Sequence, residues 1–495
     1  MSRRGATATT LALLLAGGLL VACDGEDDAT PAPDPPASTP ATDAATPPPD
    51  LSGVGPWDAA VNELVEDPFY PDVGEPDVDA LHYDLALRWD PQASRLTGVT
   101  SLTFRAPRPL TALQLDLAEP MQPSQLLLDG EAAAFTHYGP LLRVEGFDEL
   151  AANSVHTLRI TYAGEPEPVE TPTTRPDFNG VGWHTTADGG AWTMQEPWGA
   201  HTWYPVNDHP SDKAYYDFRV DTPASQHGVT GGELVSDRVH GNRRVTRFHI
   251  SEPASAYLTT IAIDDYRLVR DRGPGGMSLS YWVRPQDDRQ LRQLRQSPAA
   301  LEWLTNRLGP FPFPHAGVVL VPGLSAMETQ ETVTMGSRIP PRQLPAVLVH
   351  EYAHQWYGDT VTPDNWADLW LNEAFATYLQ EEWTADQGGR SLDRWEASLT
   401  RSDQETRDED GPPGDYDRGE FAEASVYYSG LLMLLRLREM VGAQQFDVLL
   451  REWPQQHRNQ TADRDEWIEW AENETGKDLE DFVLEWLTSE TTPAP

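Results

Sequence analysis

Cysteine and lysine are nearly absent from this chain of 495 residues. The single cysteine, Cys23, excludes an intrachain disulfide. Lys213 and Lys477 are the only lysines, so arginine supplies most of the 36 basic side chains. The 78 Asp and Glu residues outnumber them and give a net charge of −42, which repels phosphate backbones. We therefore expect no nucleic-acid partner.

Long apolar runs are scarce, and the stretch from Leu11 to Ala22 is too short to cross a bilayer as a stable helix. Hydrophobic residues still make up 39% of the chain, and 17 tryptophans are among its residues, enough for a large buried core. The length predicts about two or three domains.

The N-terminus has the pattern of a secretory signal over residues 1–22, with Arg3 and Arg4 ahead of the apolar stretch. The segment Leu20-Val21-Ala22-Cys23 resembles a bacterial lipobox, whose cysteine becomes the lipidated first residue of the mature protein. The resemblance implies an exported lipoprotein, anchored to a membrane through Cys23 on the extracytoplasmic side, in the periplasm or at the cell surface. The alternative is a plain secretory signal with an incidental cysteine.

Residues 23–60 are rich in Pro, Ala, Thr and Asp. Such a segment cannot bury enough apolar surface to offset its chain entropy. We interpret it as a disordered tether between the membrane and a folded body, with a binding role as the alternative.

Alternating apolar residues predict β-strands in the following part of the chain. Tyr83, Leu85 and Leu87 alternate with polar or small residues, and the same pattern recurs in several later runs separated by turn residues. Many short alternating strands predict an antiparallel β-sandwich or saddle domain over residues 61–265.

The periodicity changes in the second half of the chain. Leu431, Leu434 and Leu435 fall at helix spacing. We therefore predict a second, mostly helical domain over residues 266–495 and an α+β fold class. The acidic, proline-containing stretch from Asp403 to Gly419 is interpreted as a solvated loop.

The segment His350-Glu351-Tyr352-Ala353-His354 carries the pattern HExxH. Residues i and i+4 of a helix share a face, so His350 and His354 can both point at one metal ion. Glu351 lies one position round the helix, where it can hold a metal-bound water without being a ligand.

A third candidate ligand, Glu373, follows His354 after 18 intervening residues, inside a second predicted helix. Two imidazoles and one carboxylate leave a fourth coordination position for water, which is the arrangement of a catalytic zinc. The sequence thus predicts one Zn²⁺ per chain, held by His350, His354 and Glu373. The alternative is a pair of buried helices whose histidines are only hydrogen-bonded.

The run from His350 to Tyr378 resembles the aminopeptidase N family of zinc metallopeptidases, the gluzincins, whose pattern is HExxH, 18 residues and Glu. Similar segments occur at Trp203 to Pro210 and at Gly476 to Leu479, so the resemblance covers nearly the whole chain after the tether. It implies an N-terminal β-saddle domain and a thermolysin-like zinc metallopeptidase domain. This would be a short two-domain form, without the family's large C-terminal helical domain.

The resemblance also implies which residues carry the chemistry. Glu351 would be the general base, and Tyr427 would stabilise the oxyanion. Ser429 stands where the family has a basic residue, and Tyr428 is a neighbour that could be confused with Tyr427.

One substrate-binding motif is implied at Ser325 to Thr329. Ala326, Met327 and Glu328 match the family's Gly-x-Met-Glu-Asn and are expected to contact the peptide. The residues at the two ends of this segment depart from the pattern. Because the family's glycine lets a substrate backbone approach closely, Ser325 leaves the subsite geometry open.

A second motif, Met194-Gln195-Glu196-Pro197, matches the family's Gln-x-Glu-Pro except at Met194. Carboxylates recognise an ammonium group through charge-assisted hydrogen bonds. Glu196 and Glu328 are therefore expected to bind the free N-terminus of a peptide. Without the resemblance, either glutamate would be interpreted as a solvated surface charge.

These features predict a zinc aminopeptidase that removes N-terminal residues from peptides. The alternatives are a related zinc endopeptidase or hydrolase with an altered subsite, and a catalytically silent binding module on the same fold. The intact HExxH pattern, Glu373 and Tyr427 argue against the binding module. The sequence leaves the oligomeric state open.

Overall fold

The computed structural model describes residues 54–178 and 180–494. The predicted signal over 1–22, the cysteine that follows it and most of the predicted 23–60 tether lie outside the described residues. No helix within the described ranges is long and apolar enough to span a bilayer.

The last residues of the predicted tether belong to the folded body. Gly55–Ala60 form a 3₁₀ helix, and Ala60 is buried against Leu81 together with Val54. A disordered tether that reaches residue 60 is therefore wrong at its C-terminal end. The reason is local: a few apolar side chains suffice to dock a segment whose average composition is polar.

The N-terminal domain consists of strands that alternate buried and exposed side chains, as predicted. Tyr83, Leu85 and Leu87 all point into the core from the first strand. The strands are β1 (Asp79–Asp90), β2 (Arg95–Arg105), β3 (Leu110–Asp116), β4 (Met121–Leu128), β5 (Glu131–Ala132), β6 (Ala134–Tyr138), β7 (Leu141–Leu150), β8 (Val155–Gly164), β9 (Pro168–Val169), β10 (Val181–Thr185), β11 (Ala191–Met194), β12 (Lys213–Pro223), β13 (His227–Thr230), β14 (Glu233–His240), β15 (Arg243–Ser255) and β16 (Ile261–Asp264).

These strands form three sheets. The largest has eight strands in the order β14-β15-β12-β1-β2-β8-β4-β5, beside a five-stranded sheet (β13-β16-β11-β10-β9) and a three-stranded one (β3-β7-β6). Neighbouring strands run antiparallel, with the exception of β1 and β12, which pair in parallel from His82 opposite Tyr215. The predicted β-rich domain is confirmed, and the parallel pair is a feature that alternation alone does not reveal.

The second domain is mostly helical, as predicted, and also contains a five-stranded sheet in the order β17-β18-β19-β21-β20. Its strands are β17 (Arg267–Arg272), β18 (Ser278–Val283), β19 (His315–Val321), β20 (Ala326–Met327), β21 (Thr332–Gly336), β22 (Val361–Pro363) and β23 (Gln460–Ala462). Its helices are α1 (Asp288–Leu294), α2 (Ser297–Leu308), α3 (Leu344–Ala353), α4 (Trp370–Asp386), α5 (Leu392–Asp410), α6 (Gly430–Val441), α7 (Ala443–Gln456), α8 (Arg464–Thr475) and α9 (Glu480–Thr488).

The acidic stretch from Asp403 to Gly419 is not the predicted loop throughout, because α5 continues to Asp410. Arg407 explains the difference: it donates to the Asp403 carboxylate at 2.7 Å and to the carbonyl oxygen of Trp486 at 3.1 Å. Both partners of this ion pair are almost fully buried. A helix face that looks solvated in composition is thus packed against α9.

A buried lysine of the N-terminal domain joins it to the loop after α3. The Nζ atom of Lys213, at the start of β12, donates to the carbonyl oxygens of Asp359 (2.7 Å) and Thr360 (3.2 Å) and to the hydroxyl of Thr362 (3.0 Å). The folded domains form one compact unit. The loop held by Lys213 lies between the two helices that carry the candidate metal ligands.

Candidate active site

Helices α3 and α4 bring the three predicted metal ligands together. His350 lies on the last turn of α3, His354 directly follows that helix, and Glu373 lies in the first turn of α4. The reversal between the helices uses Gly358, whose φ of +128° is unfavourable for other residues. The side chain of Asn372 lies 3.2 Å from the position that a Cβ atom on Gly358 would take.

The ligand atoms of the triad converge. The Nε2 atom of His350 lies 3.1 Å and that of His354 lies 3.5 Å from the same carboxylate oxygen of Glu373. The three side chains each offer one ligand atom within 4.8 Å of the others. The predicted helix pairing thus places all three residues around one point.

The donor set fits a metal ion. The Nδ1 atom of His354 lies 3.0 Å from the carbonyl oxygen of Tyr357, and only a protonated Nδ1 can donate to it. In the neutral imidazole the Nε2 lone pair then faces the Glu373 carboxylate, and a cation between these two acceptors would satisfy both. Imidazole nitrogens with one carboxylate oxygen are typical ligands of zinc.

The charges around the triad favour the same conclusion. Burial alone would lower the pKa of His354, but the carboxylates of Glu373 and Glu328 raise it well above its usual value. Burial would raise the pKa of Glu373, and the two histidines hold it below its usual range. The pocket therefore stabilises positive charge, which a divalent ion supplies.

Glu351 lies on α3 and comes between His350 and His354 in the sequence. It is buried, with 6% of its surface exposed. Burial raises the pKa of its carboxyl group well above the usual value, and the nearby His354 opposes this shift. A carboxylate whose proton affinity is raised and which lies beside a cation site has the properties of a general base.

Tyr427, rather than Tyr428, lies beside the triad. The ring of Tyr427 stacks on that of His350 with 6.1 Å between centroids, whereas Tyr428 stacks on Trp395. The segment from Ser425 to Ser429 is a turn of π-helix, a geometry often found at functional sites.

A close approach of two helices sets this position. A Cβ atom on Gly430, at the start of α6, would lie 2.6 Å from the Cβ atom of Ala374. Any larger residue at position 430 would push α6 away from α4. Gly430 therefore allows the turn that carries Tyr427 to lie close to α4, the helix that carries Glu373.

Two further carboxylates face the triad. Glu196, Glu328 and Glu373 each place a carboxylate oxygen within 4.8 Å of the other two. Burial, followed by the repulsion of Glu328 and Glu373, raises the pKa of Glu196, and burial also raises the pKa of Glu328. Glu196 and Glu328 each have one buried oxygen that accepts no hydrogen bond from the described residues. Such a cluster is a site for a donor or a cation that the protein itself does not provide.

The backbone around Glu196 is fixed by Gln195. The side-chain amide of Gln195 donates to Ala256 (2.8 Å) and Thr259 (2.7 Å), and its oxygen accepts from Trp203 at 3.0 Å. The N-terminal domain thus delivers a rigidly held glutamate to a site formed by the helical domain.

Ala326 and Met327 form β20, the edge strand of the five-stranded sheet, where they pair with β21. An edge strand can bind an extended peptide through its backbone. Thr329, which departs from the family's pattern, turns inward: its hydroxyl contacts Thr332 and lies 3.0 Å from the hydroxyl of Thr334. The threonine therefore closes the turn after β20 and does not point at a substrate.

Arg175 is a residue of this site that the sequence reasoning missed. Arg175 belongs to the N-terminal domain, and its Nη1 atom donates to the phenol oxygen of Tyr427 at 3.0 Å. No local motif marks it, because it is 252 positions from its partner. The one available signal was indirect: Ser429 leaves the tyrosine segment without the basic residue that the family's pattern contains there.

The fold and the site define a two-histidine, one-carboxylate metal centre on paired helices, faced by a β domain. A model of the peptidase M1 N-terminal domain matches residues 79–258, and a model of the peptidase family M1 domain matches residues 293–486. The chain belongs to peptidase family M1.

The curated relatives are longer than this chain. Glutamyl aminopeptidase of Mus musculus is 26% identical over an alignment of 410 residues, and the match covers 74% of this chain and 40% of that protein. Aminopeptidase M1-B of Oryza sativa subsp. japonica is 22% identical over an alignment of 464 residues, and the match covers 83% of this chain and 50% of that protein. The chain thus spans half or less of the length of these two relatives.

Solved structures of similar length also match. The M1 zinc metallopeptidase of Deinococcus radiodurans, as a glutamate-to-alanine mutant bound to a Tyr-Ser-Ala substrate, is 27% identical with a TM-score of 0.74. The match covers 87% of this chain and 99% of that one. The structure of the same metallopeptidase without the mutation gives a TM-score of 0.73 at 27% identity and covers 87% of this chain and 98% of that one. The resemblance to a zinc metallopeptidase family is thereby confirmed, with zinc as its cofactor.

Proposed function

We propose that this protein is a zinc-dependent aminopeptidase that hydrolyses N-terminal residues from peptides. The observation that carries the proposal is the pair of buried glutamates, Glu196 and Glu328, beside the metal ligand Glu373. Their unpaired oxygens match the donors of a substrate ammonium group. An ammonium group fixed there would place the first peptide bond of the substrate near the triad, and would exclude a chain that continues on the N-terminal side.

The proposed roles follow from the contacts. His350, His354 and Glu373 would hold zinc, which supplies Lewis acidity for activating water and polarising the scissile carbonyl. Glu351 would accept the proton of the attacking water and later deliver it to the leaving amine. Tyr427 would donate its hydroxyl hydrogen to the negative charge that develops on the carbonyl oxygen. Ala326 and Met327 would align the peptide along the edge of the sheet.

A substrate panel tests this proposal. Fluorogenic amides of single amino acids and matched N-acetylated controls are incubated with the protein, with and without a chelator. We expect cleavage of the free amino compounds only, and its loss on chelation. Preferential cleavage of blocked peptides would instead identify an endopeptidase, and zinc binding without any cleavage would identify a binding module.

Replacing Glu328 with Gln is expected to weaken recognition of the free N-terminus. Loss of one charge-assisted hydrogen bond predicts a decrease of kcat/KM by roughly 10- to 100-fold for free amino substrates. Zinc content, measured by atomic absorption, should not change. The exposed Glu302 offers a matched control, because Glu302→Gln removes the same charge on α2. Equal kcat/KM values for Glu328→Gln and the control would contradict the assignment.

We also propose that the protein is exported and anchored to a membrane by lipid on Cys23. The sequence before this cysteine supports the proposal, as does its position as the only cysteine. In a bacterial host, the full-length protein is expected in the membrane fraction and Cys23→Ser in the soluble fraction, as measured by immunoblotting after detergent-free lysis. Recovery of both proteins in the soluble fraction would contradict lipid anchoring.

A further inference from the structure

A short segment of the N-terminal domain lies across the turn that carries Tyr427. This segment, residues 172–178, is called the strap here. Its Pro172 carbonyl oxygen accepts from the backbone of Phe421 at 2.7 Å, and its Thr174 hydroxyl donates to Glu420 at 2.8 Å. The strap therefore holds the segment before Tyr427 from outside the helical domain.

Arg175 is the charged residue of the strap that reaches the site. Its Nε and Nη2 atoms donate to the two carboxylate oxygens of Asp177 at 3.2 and 2.8 Å, and its Nη1 atom donates to the carbonyl oxygen of Ala422 at 2.8 Å. The same Nη1 atom donates to the phenol oxygen of Tyr427. Four of the five N–H groups of Arg175 are therefore engaged by protein acceptors, and one of these acceptors is the phenol oxygen of Tyr427.

The direction of this hydrogen bond is fixed by chemistry. A guanidinium group has no acceptor, so the phenol oxygen must be the acceptor. The hydroxyl hydrogen of Tyr427 then points away from Arg175. Because the Tyr427 ring stacks on His350, this hydrogen is available to donate to a group bound beside the metal ligands. The positive charge also makes the phenol a stronger donor.

The position of Arg175 is supported by Asp177. Burial alone would raise the pKa of Asp177, but Arg175 and the Ser325 hydroxyl hold it below its usual value. Asp177 therefore stays ionised and can orient the guanidinium group. Ser429, in contrast, is buried, and its hydroxyl contacts no partner among the described residues. The cation beside Tyr427 thus comes from the strap and not from position 429.

We propose that Arg175 is a positioning residue that orients the Tyr427 hydroxyl for stabilisation of the transition state. The inference rests on the proposed peptidase function and deepens it. It assigns part of the catalytic arrangement to the N-terminal domain, through a residue that acts on Tyr427.

A double-mutant cycle tests the proposal, on whichever substrate of the panel the wild type cleaves best. Arg175→Met is expected to lower kcat roughly 10- to 100-fold with KM within about twofold, because the hydrogen bond acts in the transition state. In the Tyr427→Phe background, which lacks the hydroxyl, the same change should lower kcat by less than about twofold. Arg175→Lys keeps the positive charge but not the planar guanidinium group, and should lower kcat by an intermediate factor. In the Tyr427→Phe background this decrease in kcat should also disappear.

Thr174→Val is the matched control, since it breaks a strap contact and leaves Tyr427 untouched. We expect its kcat to stay within about twofold of the wild type, with zinc content and melting temperature used to verify folding. Losses of the same size in the presence and absence of the Tyr427 hydroxyl would overturn the proposal, and so would an equal loss in Thr174→Val. Cleavage of blocked substrates alone would overturn the aminopeptidase proposal, but the double-mutant cycle would still test the role of Arg175. A wild type that cleaves nothing would overturn both.

Discussion

Glu351→Gln is expected to retain its zinc and to lose nearly all turnover. Glutamine has the shape of glutamate but cannot accept a proton at neutral pH, so the attacking water loses its base. General acid–base catalysis predicts a fall in kcat by about 10²- to 10⁴-fold. The measurement is the steady-state rate on the best amino substrate, together with zinc content per chain.

The control for this change is Glu381→Gln. Glu381 is also buried on a helix of the same domain, where its carboxylate accepts from Trp395 at 2.7 Å. We expect this variant to keep both zinc and turnover. If Glu351→Gln turned over at the wild-type rate with zinc bound, the general base would have to be sought elsewhere.

His354→Ala is expected to abolish zinc binding. The side chain is 1% exposed, and its hydrogen bond to the Tyr357 carbonyl oxygen commits Nε2 to the metal position. Removing one of three protein ligands should reduce zinc after dialysis to less than about 0.1 per chain, and kcat/KM by more than about 10³-fold. Both quantities are measured on the same preparation, before and after zinc is added back.

The exposed His240, the last residue of β14, provides the comparison. His240→Ala removes an imidazole without touching the helices and should bind zinc as the wild type does. A His354→Ala protein with full zinc occupancy and normal rates would contradict the assigned ligand set.

The three metal ligands could be predicted from the sequence because their spacing along the chain determines which of them share a helix face. His350 and His354 are one helical turn apart, and the next helix must pack against theirs, which limits where Glu373 can go. Tyr427 was indicated by the resemblance to the family and not by local spacing. Spacing alone does not distinguish Tyr427 from its neighbour Tyr428, because the side chain that faces the site is set by a π-helical turn.

The remaining part of the site depends on tertiary contacts. Glu196 was found only through a motif, and Arg175 was not found at all, because both come from the other domain and meet the triad through packing. The same limit explains the error over Asp403 to Gly419. Composition indicated solvent exposure there, whereas the buried ion pair of Arg407 requires a partner helix near the C-terminus.

The burial of Lys213 has a practical consequence for handling this protein. Its ammonium group lies beneath the loop at Asp359 and Thr360, whereas Lys477, in the turn between α8 and α9, is exposed. Amine-directed dyes, cross-linkers and activated surfaces will find one lysine side chain to react with on the folded molecule. Copies immobilised through a lysine side chain will therefore share one point of attachment, at Lys477.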